Sequence, residues 1–357
     1  MRAKHAFVPL LVAAVAAAGF VIVRAGVADA ADHQAQTPLS VMTRNLDLGS
    51  DLEPVLSATD GPSFVLGVAT VYDEVAASNI PERADGIAAE IAQNMPLVVS
   101  LQEVSLIQLL DASGSTVVNQ IDQLGELRSA LAHRGLNYAL AVDNHEFDVT
   151  VPSVPDPSGA GHLVRLVDQD VILTRADLPA NQFSTAHPAS GHFANVVTLP
   201  TPVGGVPSTR GWASVDVTRN GTTVRVIDTH LENLSPAIGA AQAGELLAGP
   251  ANTSLPVVVA ADLNSGPGTS MDAYSTLTAA LTDSWTATRP HDAGLTWALF
   301  GEDNLPRETT PSIRIDVVLA RGLVPVTDVL VGLDDLTPSG LHPSDHAGVL
   351  ARLAPAA

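Results

Sequence analysis

Five short clusters of acidic, amide and histidine residues each adjoin an apolar run of strand length. In chain order they are Leu101-Gln102-Glu103-Val104, Asp228-Thr229-His230, Asp262-Leu263-Asn264, Arg314-Ile315-Asp316 and Ser344-Asp345-His346. Their succession indicates a sheet whose strand ends bring carboxylates and imidazoles to one place. Metal-dependent hydrolysis of a phosphate ester requires such an arrangement, so this chemistry is the first hypothesis.

Each cluster taken alone also has an ordinary structural explanation. Glu103 closes a buried strand, where a carboxylate is costly unless it is paired, solvated or bound to metal. Asp262 and Asn264 lie on the same side of an extended backbone and could bind a metal, a phosphate or an attacking water, but an Asx turn is the alternative. His230 could stabilise a phosphoryl oxygen, or it could be a hydrogen-bonded structural histidine.

Two further pairs extend the candidate site. Asp316 lies in an apolar run and needs a partner for its buried charge. His346 is a suitable partner because an acid–histidine pair fixes the tautomer and orientation of the ring. At the end of the first strand candidate, Asn45 and Asp47 alternate onto one face as a candidate ligand pair, with a turn at Gly49 as the alternative.

The joint order of these motifs, N-x-D, Q-E, D-x-H, D-x-N, R-x-D and S-D-H, resembles that of the endonuclease/exonuclease/phosphatase superfamily, whose fold is similar to that of pancreatic deoxyribonuclease. The resemblance covers residues 39–353 and is most specific at Gln102-Glu103, Asp262-Leu263-Asn264 and Ser344-Asp345-His346. It implies an α+β fold, a four-layer α/β/β/α sandwich of two packed, mostly antiparallel sheets flanked by helices.

The resemblance also implies a divalent metal site. Glu103 matches the principal metal ligand, with Asn45 and Asp47 beside it, and Asp345 matches a second metal contact. Mg²⁺ is the implied cofactor, with Mn²⁺ or Ca²⁺ as alternatives.

The catalytic roles are implied in the same way. Asp262 matches the residue that aligns or deprotonates the attacking water, and Asn264 the residue that holds the phosphate. His346, oriented by Asp316, matches the imidazole that contacts the scissile phosphate. His230 matches the histidine that stabilises the pentacovalent transition state.

The chain departs from the family pattern at several positions. Ala261 replaces a usual glycine, Asp228 stands where an asparagine is common, and the segment 167–173 replaces a strand that commonly contains Gly-Asn. The sequence identifies no acidic partner for His230. Tyr138 is the candidate for a tyrosine contact to phosphate.

Composition limits the other classes of function. The 357-residue chain has a formal net charge of −21, and Lys4 is its only lysine. Proteins that bind nucleic acid mainly by neutralising phosphates usually carry a basic stripe, so nucleic acid is disfavoured as a partner, although a bound metal could supply positive charge locally. The missing lysines exclude a P-loop hydrolase, no G-x-S-x-G elbow is present, and the absence of cysteine excludes thiolate sites and disulfides.

The N-terminus has the layout of a secretory signal. Two basic residues precede an apolar stretch at 6–23, and a run of small residues ends at Ala30. Cleavage after Ala30 is predicted; an uncleaved anchor is the alternative, because the stretch approaches the length that spans a bilayer. Both interpretations place the protein outside the cytoplasm. The predicted segments are a signal at 1–30, a linker at 31–38 and a catalytic domain at 39–357.

Apolar periodicity predicts the elements that carry these motifs. Strands are predicted at 40–45, 97–103, 170–174, 222–230, 256–264, 313–320 and 347–353. Helices are predicted at 84–91, 121–131, 235–247 and 274–281. Long surface loops are predicted at 151–161, 200–211 and 286–312.

The sequence leaves the substrate open. Nucleic acid, sphingomyelin or another phospholipid head group, and inositol or nucleotide phosphates all fit the chemistry, with a phosphodiester favoured over a monoester. Trp297, in the apolar loop before Arg314, could contact lipid or substrate, or simply pack the loop. No obligate protein partner is implied. A catalytically silent extracellular binding module with the same fold is the non-enzymatic alternative, and the presence of all the core residues argues against it.

Overall fold

Sixteen strands and seven helices make up the part of the chain that the computed structural model describes, which is residues 38–155, 159–269, 272–300 and 310–356. The predicted signal and all but the last residue of the predicted linker lie outside these ranges. Within them, no helix has the length and apolar character needed to cross a membrane.

Three consecutive helices follow the first strand, and seven consecutive strands occupy the middle of the chain. The strands are β1 (Leu39–Asn45), β2 (Val98–Gln102), β3 (Leu106–Asp111), β4 (Val117–Asp122), β5 (Tyr138–Ser153), β6 (His162–Arg175), β7 (Phe183–His192), β8 (Val197–Thr201), β9 (Gly204–Ser208), β10 (Gly211–Arg219), β11 (Thr222–Thr229), β12 (Val257–Asp262), β13 (Thr282–Asp283), β14 (Asp316–Arg321), β15 (Leu323–Val331) and β16 (Gly348–Pro355). The helices are α1 (Glu53–Leu56), α2 (Gly61–Ala77), α3 (Ile80–Asn94), α4 (Gln123–His133), α5 (Pro236–Ala248), α6 (Ala273–Thr278) and α7 (Ser284–Thr288).

The strands form two large, mostly antiparallel sheets, each with one parallel pair. The eight-stranded sheet has the order β15-β16-β1-β2-β6-β3-β4, with β5 also paired to β6, and the six-stranded sheet has the order β13-β14-β12-β11-β10-β7. The parallel pairs are β1–β2 and β11–β12. Since parallel strands end at the same edge of a sheet, the polar residues that follow β1 and β2 lie together, as do those that follow β11 and β12.

Alternation of side chains along the strands builds the layers. In β2, Val98 packs into an apolar cluster between the two sheets with Val226 and Val258. Its neighbour Val99 points the other way, into a cluster with helices α3 and α4. Helices α5 and α6 cover the outer face of the six-stranded sheet, where Leu246 is buried. The predicted four-layer α/β/β/α sandwich is therefore confirmed.

Local sequence signals explain where several helices begin. Ser235 accepts a hydrogen bond from the backbone of Ile238, which caps α5 as predicted. The predicted helix at 121–131 starts later, because the Asp122 carboxylate caps α4 by accepting from Gly125 N, and Ile121 belongs to β4 instead. Helix α2 was not predicted, although Asp60 and Ser63 form a capping box at its start.

Two predicted loops were wrong in part. Segment 200–211 contains the turn of the β8–β9 hairpin and the first residue of β10. Segment 151–161 begins inside β5, which continues to Ser153. Strand β9 and the end of β5 carry polar residues, glycine or proline at exposed positions. They therefore lack the apolar run on which the strand predictions depended. In segment 286–312, the described residues include the end of α7 and an isolated bridge at Trp297.

Breaking the buried Arg44–Glu90 ion pair should destabilise the fold strongly. The Arg44 guanidinium donates to both Glu90 carboxylate oxygens, at 2.9 and 3.0 Å, and both side chains are buried. Arg44→Met would leave Glu90 charged and unpaired, so we expect the free energy of unfolding to fall by about 3–5 kcal/mol. Urea unfolding would measure it. Arg165→Met, which breaks the exposed Arg165–Asp148 pair, is the matched control and should cost less than about 1 kcal/mol.

Candidate active site

Three strand ends bring polar side chains together through backbone turns in the left-handed region. The residues there are Asp47 after β1 (φ 59°), Glu103 after β2 (φ 53°) and Asn264 after β12 (φ 49°). Each such non-glycine conformation costs about 1–3 kcal/mol and is found mainly where the surrounding structure enforces it. Hydrogen bonds do so here: Leu48 N donates to Glu103 Oε2 at 2.9 Å, and Asn264 N donates to Asp262 Oδ1 at 2.8 Å.

Asn45 joins the two sheets at the centre of the cluster. Its Nδ2 donates to Glu103 Oε1 at 2.9 Å and to Asp262 Oδ2 at 3.0 Å, and its Oδ1 accepts from Asp47 N at 2.7 Å. The predicted metal ligand Asn45 is thus beside Glu103, where its amide nitrogen bridges two carboxylates and its oxygen accepts one hydrogen bond.

The carboxylate of Asp47 is also held by hydrogen bonds. Its Oδ2 accepts from Arg83 Nη2 at 2.9 Å and its Oδ1 from Gly49 N at 2.7 Å. Each oxygen accepts one hydrogen bond and keeps a second lone pair, so Asp47 adds negative charge to the site and stays a predicted ligand.

The surroundings of Glu103 suit a divalent cation. Burial, followed by repulsion from Asp345, Asp168 and Asp47, raises the pKa of Glu103 to about 8. Burial and the charge of Asp47 raise the pKa of Asp345 to about 6, against the opposing effect of His346. Neighbouring carboxylates repel one another, and a hard cation relieves that repulsion. The predicted ligands Glu103 and Asp345 are thus brought to one electronegative region, which can hold a divalent cation.

A second group centres on Asp262 and His346. His346 Nδ1 lies 2.8 Å from Asp316 Oδ2, the pairing expected from the sequence, and 3.7 Å from Asp262 Oδ2. Burial lowers the pKa of His346, but the charges of Asp316, Asp345 and Asp262 outweigh it and raise the pKa well above its ordinary value. Burial and the nearby Asp316 also raise the pKa of Asp262. The pair thus offers a protonated imidazole beside a carboxylate that is more basic than usual.

His230 completes the cluster from the other side of Asp262. Its Nε2 lies 3.7 Å from Asp262 Oδ2 and 2.9 Å from Asn264 Nδ2. Arg210 Nη1 lies 2.9 Å from His230 Nδ1, so a donor faces each of the two ring nitrogens and these contacts alone do not assign the tautomer. Burial and the charges of Arg210 and His346 lower the pKa of His230 well below its ordinary value. His230 is therefore neutral, unlike His346.

Asp316→Asn should lower turnover about 10²-fold, because the variant loses the charge that orients and protonates His346. The alkaline limb of the pH profile of kcat should move to lower pH.

In the wild type the raised pKa of His346 contributes stability that is complete below about pH 6.5 and is lost as pH rises, so the variant should lose more stability at pH 6 than at pH 9. Measuring kcat and chemical unfolding at both pH values checks this, and an unshifted alkaline limb would contradict it.

Of the residues singled out in the sequence, Tyr138 and Arg314 lie away from this cluster and Trp297 lies at its edge. Tyr138 pairs with Arg175 at the far end of the sheet from Glu103, and its buried hydroxyl donates to Pro96 O at 2.6 Å, so the predicted phosphate contact is wrong. Arg314, from the Arg314-Ile315-Asp316 motif, donates to Asp283 Oδ2 at 2.8 Å. Trp297 Nε1 donates to Asp345 Oδ2 at 2.9 Å, which places the indole beside the metal-binding acids.

Sequence reasoning missed Arg210 and Glu146. Arg210 lies in the segment predicted to be a loop, and Glu146 lies in a polar stretch of β5 without an apolar run. Arg210 Nη1 is also 3.4 Å from Glu146 Oε2. A lone arginine just before a strand was the only sequence signal for it, and Glu146 had none.

Comparison with known proteins agrees with this geometry. The sequence profile of the Endonuclease/Exonuclease/phosphatase family matches residues 73–346, more than half of the chain. The chain belongs to this family, and it is a phosphoric ester hydrolase of the divalent-metal-dependent kind. Comparison with curated protein sequences gives no match.

Solved structures show the same fold at low sequence identity. An endonuclease/exonuclease/phosphatase family protein from Bacteroides thetaiotaomicron has a TM-score of 0.55 and 15% identity, covering 90% of this chain and 99% of its own. A mannosyl-6-phosphatase of B. thetaiotaomicron VPI-5482 has a TM-score of 0.54 and 15% identity, covering 88% and 99%. TDP2 of D. rerio, complexed with a single strand DNA product, has a TM-score of 0.51 and 18% identity, covering 88% and 98%.

Proposed function

We propose that the protein is a Mg²⁺-dependent phosphodiesterase acting outside the cytoplasm on a small or lipid-linked phosphodiester. The observation that carries the proposal is the position of Asp262, whose Oδ2 lies 3.7 Å from a nitrogen of both His230 and His346. A buried carboxylate between a neutral and a cationic imidazole can accept a proton from water while both rings face the phosphoryl oxygens.

The residues divide the work as follows. Asp262 takes the proton of the attacking water as the water oxygen bonds to phosphorus, and its raised pKa makes it a better base than free aspartate. The P–O ester bond opposite the attacking oxygen breaks, and the leaving oxygen takes a proton from solvent. The cation of His346, held by Asp316, stabilises the charge that develops on the phosphoryl oxygens, and the neutral imidazole of His230 lies on the other side of Asp262 as a second polar group. Mg²⁺ held by Glu103 and Asp345 would supply Lewis-acid stabilisation of the same charge.

Charge supports a diester over a monoester. Glu103, Asp262, Asp316 and Asp345 surround the site, and a monoester dianion is repelled more by such acids than a diester monoanion. The formal net charge of −21 likewise disfavours long nucleic acids, while a small diester or a lipid head group has little charge to be repelled. The N-terminal apolar stretch at 6–23 supports an extracytoplasmic location.

The test is hydrolysis of bis-p-nitrophenyl phosphate and p-nitrophenyl phosphate by the purified protein, with Mg²⁺ or with EDTA. We expect cleavage that requires Mg²⁺ and favours the diester, and a following comparison of sphingomyelin, inositol phosphates and double-stranded DNA would identify the natural class. Faster cleavage of the monoester, or cleavage that EDTA does not affect, would contradict the proposal. A folded protein without turnover on any substrate would favour the binding module.

A further inference from the structure

A second group of buried acids lies on the Arg210 side of His230. Glu146, Asp170 and Asp228 are 2%, 1% and 0% exposed. The guanidinium of Arg210 is the cation that contacts this group, at Glu146 Oε2. Burial raises the pKa of all three acids, and one guanidinium cannot balance three carboxylates, so the group needs either shared protons or a further cation.

The pairing of β5 with β6 creates this group. Asn144 lies opposite Asp170, and the register shifts between His145 and Phe147, so Glu146 occupies a β-bulge. Bulges re-aim side chains, and here Glu146 Oε1 accepts from Gly211 N at 2.7 Å. Gly211 tolerates no side chain, because a Cβ there would lie 2.3 Å from Asn144 Nδ2.

The hydrogen bonds of the three acids differ. Asp228 accepts from Gln102 Nε2 at 2.5 Å and from Leu101 N at 3.1 Å. Glu146 accepts from Gly211 N and from Arg210. Apart from its contact with the Glu146 carboxyl, neither carboxylate oxygen of Asp170 has a hydrogen-bond donor among the described residues. An almost fully buried carboxylate whose only polar neighbour is another acid therefore lies in this group.

His230 supplies a third ligand. One donor atom from each of Glu146, Asp170 and His230 lies within 4.8 Å of the others. Donors that share one ion through bonds of about 2.1 Å have this kind of separation. His230 is also neutral, as a metal ligand must be.

We propose that Glu146, Asp170 and His230 form a second metal site, separate from Glu103 and Asp345, that takes a divalent transition-metal ion such as Mn²⁺. Two carboxylates and an imidazole suit such an ion better than Mg²⁺ or Ca²⁺. In the metal-bound form His230 Nδ1 contacts the ion in place of Arg210, and the ring proton lies on Nε2, which is 3.7 Å from the acceptor Asp262 Oδ2. Because His230 follows β11 and the two acids lie on β5 and β6, the ion links the two sheets.

The test is the Mn²⁺ content of the full-length protein after equilibrium dialysis, measured by mass spectrometry. We expect Asp170→Asn, whose side chain has the same shape, to bind one ion fewer than the wild type, and Glu103→Gln to lose a different ion, so that the double variant loses both. Asp148→Asn, an exposed control, should bind as the wild type does. Arg210→Gln should tighten Mn²⁺ binding at the second site about tenfold, since it removes a competing positive charge.

Mn²⁺ should also raise the melting temperature of Glu103→Gln, and the added Asp170→Asn change should abolish that increase. If Asp170→Asn binds as many ions as the wild type, the inference is overturned, and a proton shared by Asp170 and Glu146 neutralises the group instead. The second metal site does not depend on the proposed function. If Asp170→Asn binds one ion fewer but the wild type turns over no substrate, only the phosphodiesterase proposal is contradicted. If the wild type hydrolyses the diester but Asp170→Asn binds as many ions as the wild type, only the second metal site is contradicted.

Discussion

Asp262→Asn should lower kcat about 10³-fold while the protein stays folded. The substitution keeps the shape of the side chain but removes the carboxylate that accepts the proton of the attacking water, and general-base catalysis contributes about 10²–10⁴-fold. Asp262 is buried and its pKa is raised, so its charge costs folding energy in the wild type. We therefore expect a melting temperature equal to that of the wild type or slightly higher.

The measurement is kcat on bis-p-nitrophenyl phosphate with saturating Mg²⁺, together with thermal unfolding. Asp148→Asn is the control for the same chemical change, because Asp148 is exposed and pairs only with Arg165 in the part of the chain described. It should retain full activity. A folded Asp262→Asn protein with more than about a tenth of the wild-type kcat would remove Asp262 from the mechanism.

Glu103→Gln should remove the dependence on Mg²⁺ together with most of the activity, a loss of about 10³-fold in kcat/KM, or about 4 kcal/mol of transition-state stabilisation. Glu103 is the acid on which the charges of Asp345, Asp168 and Asp47 converge. Glutamine keeps the shape and can still accept from Leu48 N, but it cannot attract a cation. Glu126→Gln on the exposed face of α4 is the matched control and should behave as the wild type does.

The pH dependence gives a second readout for Glu103. Its pKa is raised from 4.5 to about 8, so the folded, metal-free protein holds a proton there that the unfolded chain releases. The contribution of the Glu103 proton to the free energy of unfolding should therefore be complete below about pH 4.5 and be lost as pH rises towards 8. Mg²⁺ binds the ionised form, so its stabilising effect should be larger at pH 8.5 than at pH 6. Equal melting-temperature shifts in wild type and Glu103→Gln would show that the cation binds elsewhere.

The sequence alone determined which polar residues border buried strands, because that depends on local signals, and the family resemblance of those motifs implied the fold class. Buried strands are recognised by their valine and isoleucine content, and a polar residue next to the end of such a strand lies at a sheet edge. Glu103 and Asp262 follow such strands and His346 precedes one, so all three could be named. The same logic failed for β5 and β7, whose exposed faces carry no apolar run.

Only the tertiary structure decided which charges meet across the two sheets. The bridge from Asn45 to Glu103 and Asp262 spans more than two hundred residues of chain. The approach of Arg210 to His230 and Glu146 depends on a bulge in β5 that no local pattern encodes. It is these long-range contacts that make His346 cationic and His230 neutral, since a histidine pKa responds to every charge within a few ångströms whatever its place in the sequence.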